Sequence, residues 1–150
     1  MQLNQAGIEL IKSHEGCKLK AYPDPATGGK PYTIGYGHTG PEVKPGLVWT
    51  QAQAEECFDN DVQHCASRVR NLVKIALTDN EFSALVCLAY NIGIANLAGS
   101  TLLKLVNEGL SNDAAIERVA DEFLKWNKAA GKVMAGLTSR RQAEARLFTT

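Results

Sequence analysis

Apolar positions near the start of the chain recur at helical intervals. Leu3, Ile8 and Ile11 fall on one stripe and predict a helix from about Asn4 to His14, with Asn4 placed to cap it. The pattern then breaks. The stretch from Lys18 to Gly46 holds all five prolines and six of the thirteen glycines, too many for a helix, and its Leu19, Tyr22, Tyr32, Ile34 and Tyr36 favour short strands. A small antiparallel sheet is expected there. Helical spacing returns at Thr50-Gln51-Ala52-Gln53, a capping box that opens a long helix to about Val73. A second box, Thr78-Asp79-Asn80-Glu81, opens a helix to about Asn91, and further helices are expected near Ser100 to Glu108, Asp113 to Trp126 and Thr138 to Phe148. These elements predict an α+β fold in one domain: a small antiparallel β lobe at about 18–46 and a larger helical lobe at about 1–14 and 50–150. The long helix would join the lobes and a cleft would run between them, a common setting for a ligand site.

Composition adds limits more than detail. A chain of 150 residues is long enough to bury roughly 68 to 70% of its unfolded surface without covalent staples. The four cysteines, Cys17, Cys57, Cys65 and Cys87, contain no Cys-x-x-Cys pair, so zinc-ribbon and redox motifs are weak readings and free, mostly buried thiols are expected. Nothing in Met1 to Gly7 reads as a signal peptide or membrane anchor, which implies accumulation in the cytoplasm and no stable membrane association. Net charge is zero but unevenly spread. Phe123 to Thr150 carries Lys125, Lys128, Lys132, Arg140, Arg141 and Arg146 against Glu144 alone, whereas Glu55, Glu56, Asp59 and Asp61 cluster in the long helix. A basic face there would suit an anionic polymer; an ordinary solvated helix face is the alternative. Nucleic acid is a poor fit, since no dense basic run with interleaved aromatics is present.

The chemistry concentrates in one segment. Glu15 closes the first helical stretch, Asp24 follows on a Pro- and Gly-rich loop, and Thr33 opens Thr33-Ile34-Gly35-Tyr36-Gly37-His38. Two carboxyl groups in different surroundings are the minimum equipment for cleaving a glycosidic bond: one donates a proton to the leaving oxygen, and the other steadies the sugar cation or activates a water. Glu15 beside Leu10 and Ile11 suits the first role; Asp24 among Pro23, Pro25 and two glycines suits the second. The competing reading makes Glu15 a helix-end charge and Asp24 a turn residue before proline. Gly35 and Gly37 read as positions of unusual φ or close packing, since no Gly-x-Gly-x-x-Gly phosphate loop follows. No spacing among His14, His38 and His64 matches a metal site, so no metal and no cofactor is expected, and His38 reads as a hydrogen-bonded structural histidine.

Glu15, Asp24 and Thr33, with the string from Tyr32 to His38, resemble the Glu/Asp/Thr triad of the phage lysozymes, the endolysins of glycoside hydrolase family 24. Later blocks are similar in the same order: Glu81 to Leu85 leading to Ala89 to Gly93, Ser100 to Leu103, Trp126 to Gly131, and Gly136 to Glu144. One departure is visible, since Pro25 to Tyr32 lengthens the interval between the Asp and the Thr. The resemblance implies a lysozyme-like fold and a muramidase that cleaves the β-1,4 bond between N-acetylmuramic acid and N-acetylglucosamine in peptidoglycan. It implies Glu15 as the acid and Asp24 with Thr33 as holders of an attacking water, giving inversion. Arg141 matches an arginine that approaches the acid from the last helix, a surface salt bridge to Glu144 being its alternative; Tyr32 and His38 join it as candidates for substrate binding or tuning. A monomer is expected, released from the host cytoplasm to the wall by a holin. A lytic transglycosylase and a non-catalytic wall-binding module are the rival readings.

Overall fold

The computed structural model describes residues 1–150. In chain order the elements are α1 (Gln5–Glu15), β1 (Lys18–Tyr22), β2 (Thr33–Gly35), β3 (His38–Thr39), α2 (Gln51–Leu72), α3 (Asp79–Ile92), α4 (Ile94–Ala98), α5 (Thr101–Glu108), α6 (Asp113–Phe123), β4 (Lys128–Ala129), β5 (Lys132–Val133) and α7 (Ala135–Thr149). The architecture is α+β, with sheets β1-β2-β3 and β4-β5, both antiparallel. The chain folds into two compact units, Lys12–His64 and Met1–Ile11 with Cys65–Thr150.

In the unit Lys12–His64 the sheet is small and locally irregular. Lys18 pairs with Gly35 and Tyr22 with Thr33, so β1 carries two more residues than β2 over this span. Such a bulge bends the strand and re-aims its side chains. Here it sets Tyr22 opposite Thr33. Ala21, Ile34 and Val43 form the buried centre, with Tyr32, Leu47 and Trp49 packed against them. Gln53 and Thr50 complete the expected capping box at the start of α2: the Thr50 amide donates to Gln53 Oε1 at 2.8 Å and the Gln53 amide to Thr50 Oγ1 at 3.2 Å.

The other unit is built round α3, buried from Phe82 through Ala89, a run that is apolar except for Ser83, whose hydroxyl accepts from the Asn4 amide at 3.0 Å. Thr78 and Glu81 form its capping box. Asn4 caps α1 through a 3.1 Å bond from the Gly7 amide, and a Cβ at Gly7 would lie 2.8 Å from the Ser83 Cβ, so α1 and α3 meet there without a side chain between them. Arg141 and Glu144 on α7 are fully buried and paired at 2.7 Å, with Arg140 Nε 4.0 Å from the same Glu144 oxygen. This corrects two expectations. The Arg141–Glu144 pair is an interior ion pair and not a surface one, and burial of Arg140 and Arg141 removes both from the expected basic face.

All four cysteines are free, but only Cys87 is buried; Cys17, Cys57 and Cys65 are half-buried, so the expectation of mostly buried thiols fails. Burial pushes the thiols of Cys57 and Cys65 up to about 11. Two elements were not foreseen, the short α4 and the β4-β5 hairpin. The hairpin turns through Ala130 (φ 51°) and Gly131 (φ 78°), the left-handed pair of a type I′ turn.

Candidate active site

Gly16 fixes where α1 stops. It adopts φ 67° and its amide bonds back to Lys12 O at 2.9 Å, a left-handed cap that makes Glu15 the last helical residue. Glu15 is half-buried and comes against the turn between β2 and β3. There Gly37 has φ 81°, and a Cβ built on it would lie 2.8 Å from Glu15 Oε2 and 3.2 Å from its Cδ. Both reasons for a glycine named in the sequence reading hold at this position: the conformation and the close approach.

A second group of side chains holds the same turn. Tyr36 donates its hydroxyl to Glu55 Oε1 at 2.6 Å, Lys12 Nζ reaches Glu55 Oε2 at 2.5 Å, and Gln51 Nε2 donates to Glu55 Oε1 at 2.8 Å. Lys12 also stands 5.2 Å above the Tyr36 ring and 5.1 Å from the Phe58 ring centroid. Lys12, followed by Tyr36 and Gln51, holds the Glu55 carboxyl down at about 2, while the bond to Glu55 pushes the Tyr36 phenol up to about 12. α1, α2 and the residue before Gly37 are thus tied by one charged network.

Tyr22 links the predicted acid to the predicted threonine. It stands opposite Thr33, its cross-strand partner, near enough for the Thr33 hydroxyl to act on the phenol, and lies close enough to Glu15 for that charge to act on it. Its phenol is raised above the ordinary value, first by burial and then by the Glu15 carboxylate, with the Thr33 hydroxyl acting the other way. Asp24 follows two residues after Tyr22 on a closed turn. Its Oδ1 accepts from the Ala26 amide at 2.8 Å, its own amide donates to Gly29 O at 2.9 Å, and its carbonyl accepts from the Gly28 amide at 2.7 Å. The Thr27 hydroxyl donates to Lys30 O at 2.9 Å. The long Asp-to-Thr interval is therefore folded back on itself.

The other predicted site residues fall elsewhere. Tyr32 lines a concavity of about 710 Å³, together with Pro31, Pro41, Val43 and Pro45; Glu15, Asp24 and Thr33 do not line it. His38 is held between Asp61 and Glu42, both at 2.6 Å, in keeping with a hydrogen-bonded structural role. Arg141 belongs to the other unit, where Glu144 is its partner and its Nη1 donates to Trp126 O at 3.3 Å. Sequence reasoning missed Tyr22 as a site residue and Lys12 and Glu55 as its scaffold. Tyr22 does stand two residues before Asp24, but its partner depends on the bulged register.

A profile of the family described as phage lysozyme matches residues 12–144, and with it the whole of this site. The chain belongs to the phage lysozyme family. It is 47% identical over its full length to the endolysin of Bacillus phage B103, of which it spans 55%, so it is little more than half as long as that relative. An endolysin of Acyrthosiphon pisum secondary endosymbiont phage 1 is 40% identical, with 99% of this chain and 98% of the relative aligned. Among solved structures, the muramidase domain of SpmX from Asticaccaulis excentricus superposes with a TM-score of 0.85 at 35% identity, covering 99% of this chain and 98% of that one. The α+β architecture is therefore that of the phage lysozymes.

Proposed function

We propose that the chain is a muramidase that hydrolyses the β-1,4 bond between N-acetylmuramic acid and N-acetylglucosamine in bacterial peptidoglycan. The observation that carries this reading is the grouping of Glu15, Tyr22 and Thr33, with Asp24 next along the chain from the strand that supplies Tyr22. Glu15 donates its proton to the glycosidic oxygen. Asp24 accepts a proton from a water that Thr33 positions, and the water attacks the opposite face of the sugar, inverting the anomeric centre. Tyr22 orients the Thr33 hydroxyl.

Membership of the phage lysozyme family and likeness to a muramidase domain support the substrate class. No helix is long and apolar enough to cross a membrane. The biological route that fits an endolysin is accumulation of a monomer in the host cytoplasm and release to the wall through a holin.

The reading is tested with Glu15→Gln, which keeps the side-chain shape and removes the donor. Lysis of outer-membrane-permeabilised cells should fall by roughly 10² to 10⁴ with an unchanged circular dichroism spectrum. A folded variant that keeps more than about a tenth of the activity would remove Glu15 from the acid role.

A further inference from the structure

Three metal-binding side chains converge in the unit Lys12–His64, although their order in the chain does not announce it. Cys57 and Asp61 stand one turn apart on α2, and His38 reaches them from β3. His38 Nδ1 lies 2.6 Å from Asp61 Oδ2, Cys57 Sγ lies 3.7 Å from the same oxygen, and the three donor atoms all fall within 4.8 Å of one another. The second ring nitrogen, Nε2, is 2.6 Å from Glu42 Oε1, and the Trp49 ring lies against the imidazole at 5.7 Å between centroids.

We infer that His38, Cys57 and Asp61 form a zinc site, with Nδ1, Sγ and Oδ2 as the protein donors and a water as the fourth ligand. A thiolate, an imidazole and one carboxylate are the mixed donors that zinc takes tetrahedrally, whereas calcium and magnesium call for oxygen alone. Zinc bonds of about 2.0–2.3 Å put tetrahedral donors roughly 3.3–3.8 Å apart. The Sγ to Oδ2 distance already meets this, and His38 and Asp61 have to part by only about 1 Å. Glu42 on Nε2 supplies the outer carboxylate that orients a metal-binding imidazole and leaves Nδ1 for the ion. In the metal-free chain the same atoms form an ion pair between His38 and its two carboxylates, with the Cys57 thiol donating to Asp61 Oδ2 from one turn away; the ion replaces the protons of that group.

On binding, the thiol proton of Cys57 and any proton on His38 Nδ1 pass to the buffer, and nothing is oxidised or reduced. The ion would clip β3 to α2. It would take no part in bond cleavage. The histidine spacing that argued against a metal is uninformative here, because the site uses one histidine and a Cys/Asp pair four residues apart on a helix.

The test adds zinc, and cobalt(II) as its coloured substitute, to the reduced, metal-free full chain. One ion per chain should bind, the cobalt form should show a thiolate-to-metal charge-transfer band, and zinc should raise the melting temperature by several degrees. Cys57→Ser should abolish the band, and Glu42→Gln should weaken zinc binding by about 10- to 100-fold, as loss of an outer partner does. Cys17→Ser and Cys65→Ser should change neither. Alkylation rates in the wild-type chain, mapped by peptide mass spectrometry, give a readout that needs no variant: zinc should protect Cys57 and leave Cys17 unprotected. Absence of binding, a band that survives Cys57→Ser, or protection of Cys17 in place of Cys57 would overturn the assignment.

Discussion

The α-carbon of Gly37 faces the Glu15 carboxylate so closely that a single methyl group there would stand 2.8 Å from Oε2. No real carbon occupies that position without moving the acid or the turn, and φ of 81° already disfavours any side chain. Gly37→Ala is therefore expected to fold less stably by about 1 kcal/mol or more and to lose activity well beyond that loss, since displacing a reacting group by about 1 Å costs on the order of 10² in rate. The check is kcat/KM measured well below the variant's melting temperature. Wild-type activity there would mean that Glu15 does not need its present position.

Tyr22→Phe removes one hydroxyl from the pair that Tyr22 forms with Thr33. Because the ring stays, packing should be kept and stability should change by no more than about 1 kcal/mol. If Tyr22 orients Thr33, kcat should fall more than KM rises, and Tyr22→Phe combined with Thr33→Ala should be no worse than Thr33→Ala alone. Additive losses would separate the two residues.

Glu55 gives a pH dependence with a definite sign. Its carboxyl is held at about 2 in the folded chain, chiefly by Lys12, below the ordinary value of about 4.3. A depressed carboxyl stabilises the fold above its unfolded pKa, and that contribution is lost as the pH falls from about 4.3 through about 2. The melting-temperature advantage of wild type over Glu55→Gln should shrink across this window and stay flat from about pH 5 to 7. A constant difference throughout would mean that the Lys12–Glu55 pair adds nothing.

The buried group on α7 predicts an order of losses. Glu144 lies 2.7 Å from Arg141 and 4.0 Å from Arg140, so removing it takes the close carboxylate from the fully buried Arg141, whereas removing Arg141 leaves Glu144 beside Arg140. Glu144→Leu should cost about 3–5 kcal/mol and Arg141→Met less, and the double variant should recover part of the Glu144→Leu loss. Chemical denaturation of the three variants decides it. A larger loss for Arg141→Met than for Glu144→Leu would contradict the arrangement.

Much of this fold was legible because its signals are local. The capping boxes at Thr50 and Thr78 and the Asn4 cap depend on residues three positions apart, and all three start helices as expected. What local pattern could not supply was partnership. The bulge that sets Tyr22 opposite Thr33 and the burial of Arg140 and Arg141 are tertiary outcomes that sequence spacing does not encode. The hairpin at Lys128 to Val133 was missed for another reason: its I′ turn uses Ala130-Gly131, where the recognisable signal is Asn-Gly or Asp-Gly.

The proposed hydrolysis uses a water held between Asp24 and Thr33 and an acid at Glu15. Mass spectrometry of the muropeptides released from purified peptidoglycan tests it most directly. Water attack leaves reducing N-acetylmuramic acid ends, and in labelled water those ends should carry one solvent oxygen. Predominantly 1,6-anhydro ends, lighter by one water, would contradict the account, because attack by the muramyl 6-hydroxyl has no use for a water-holding pair.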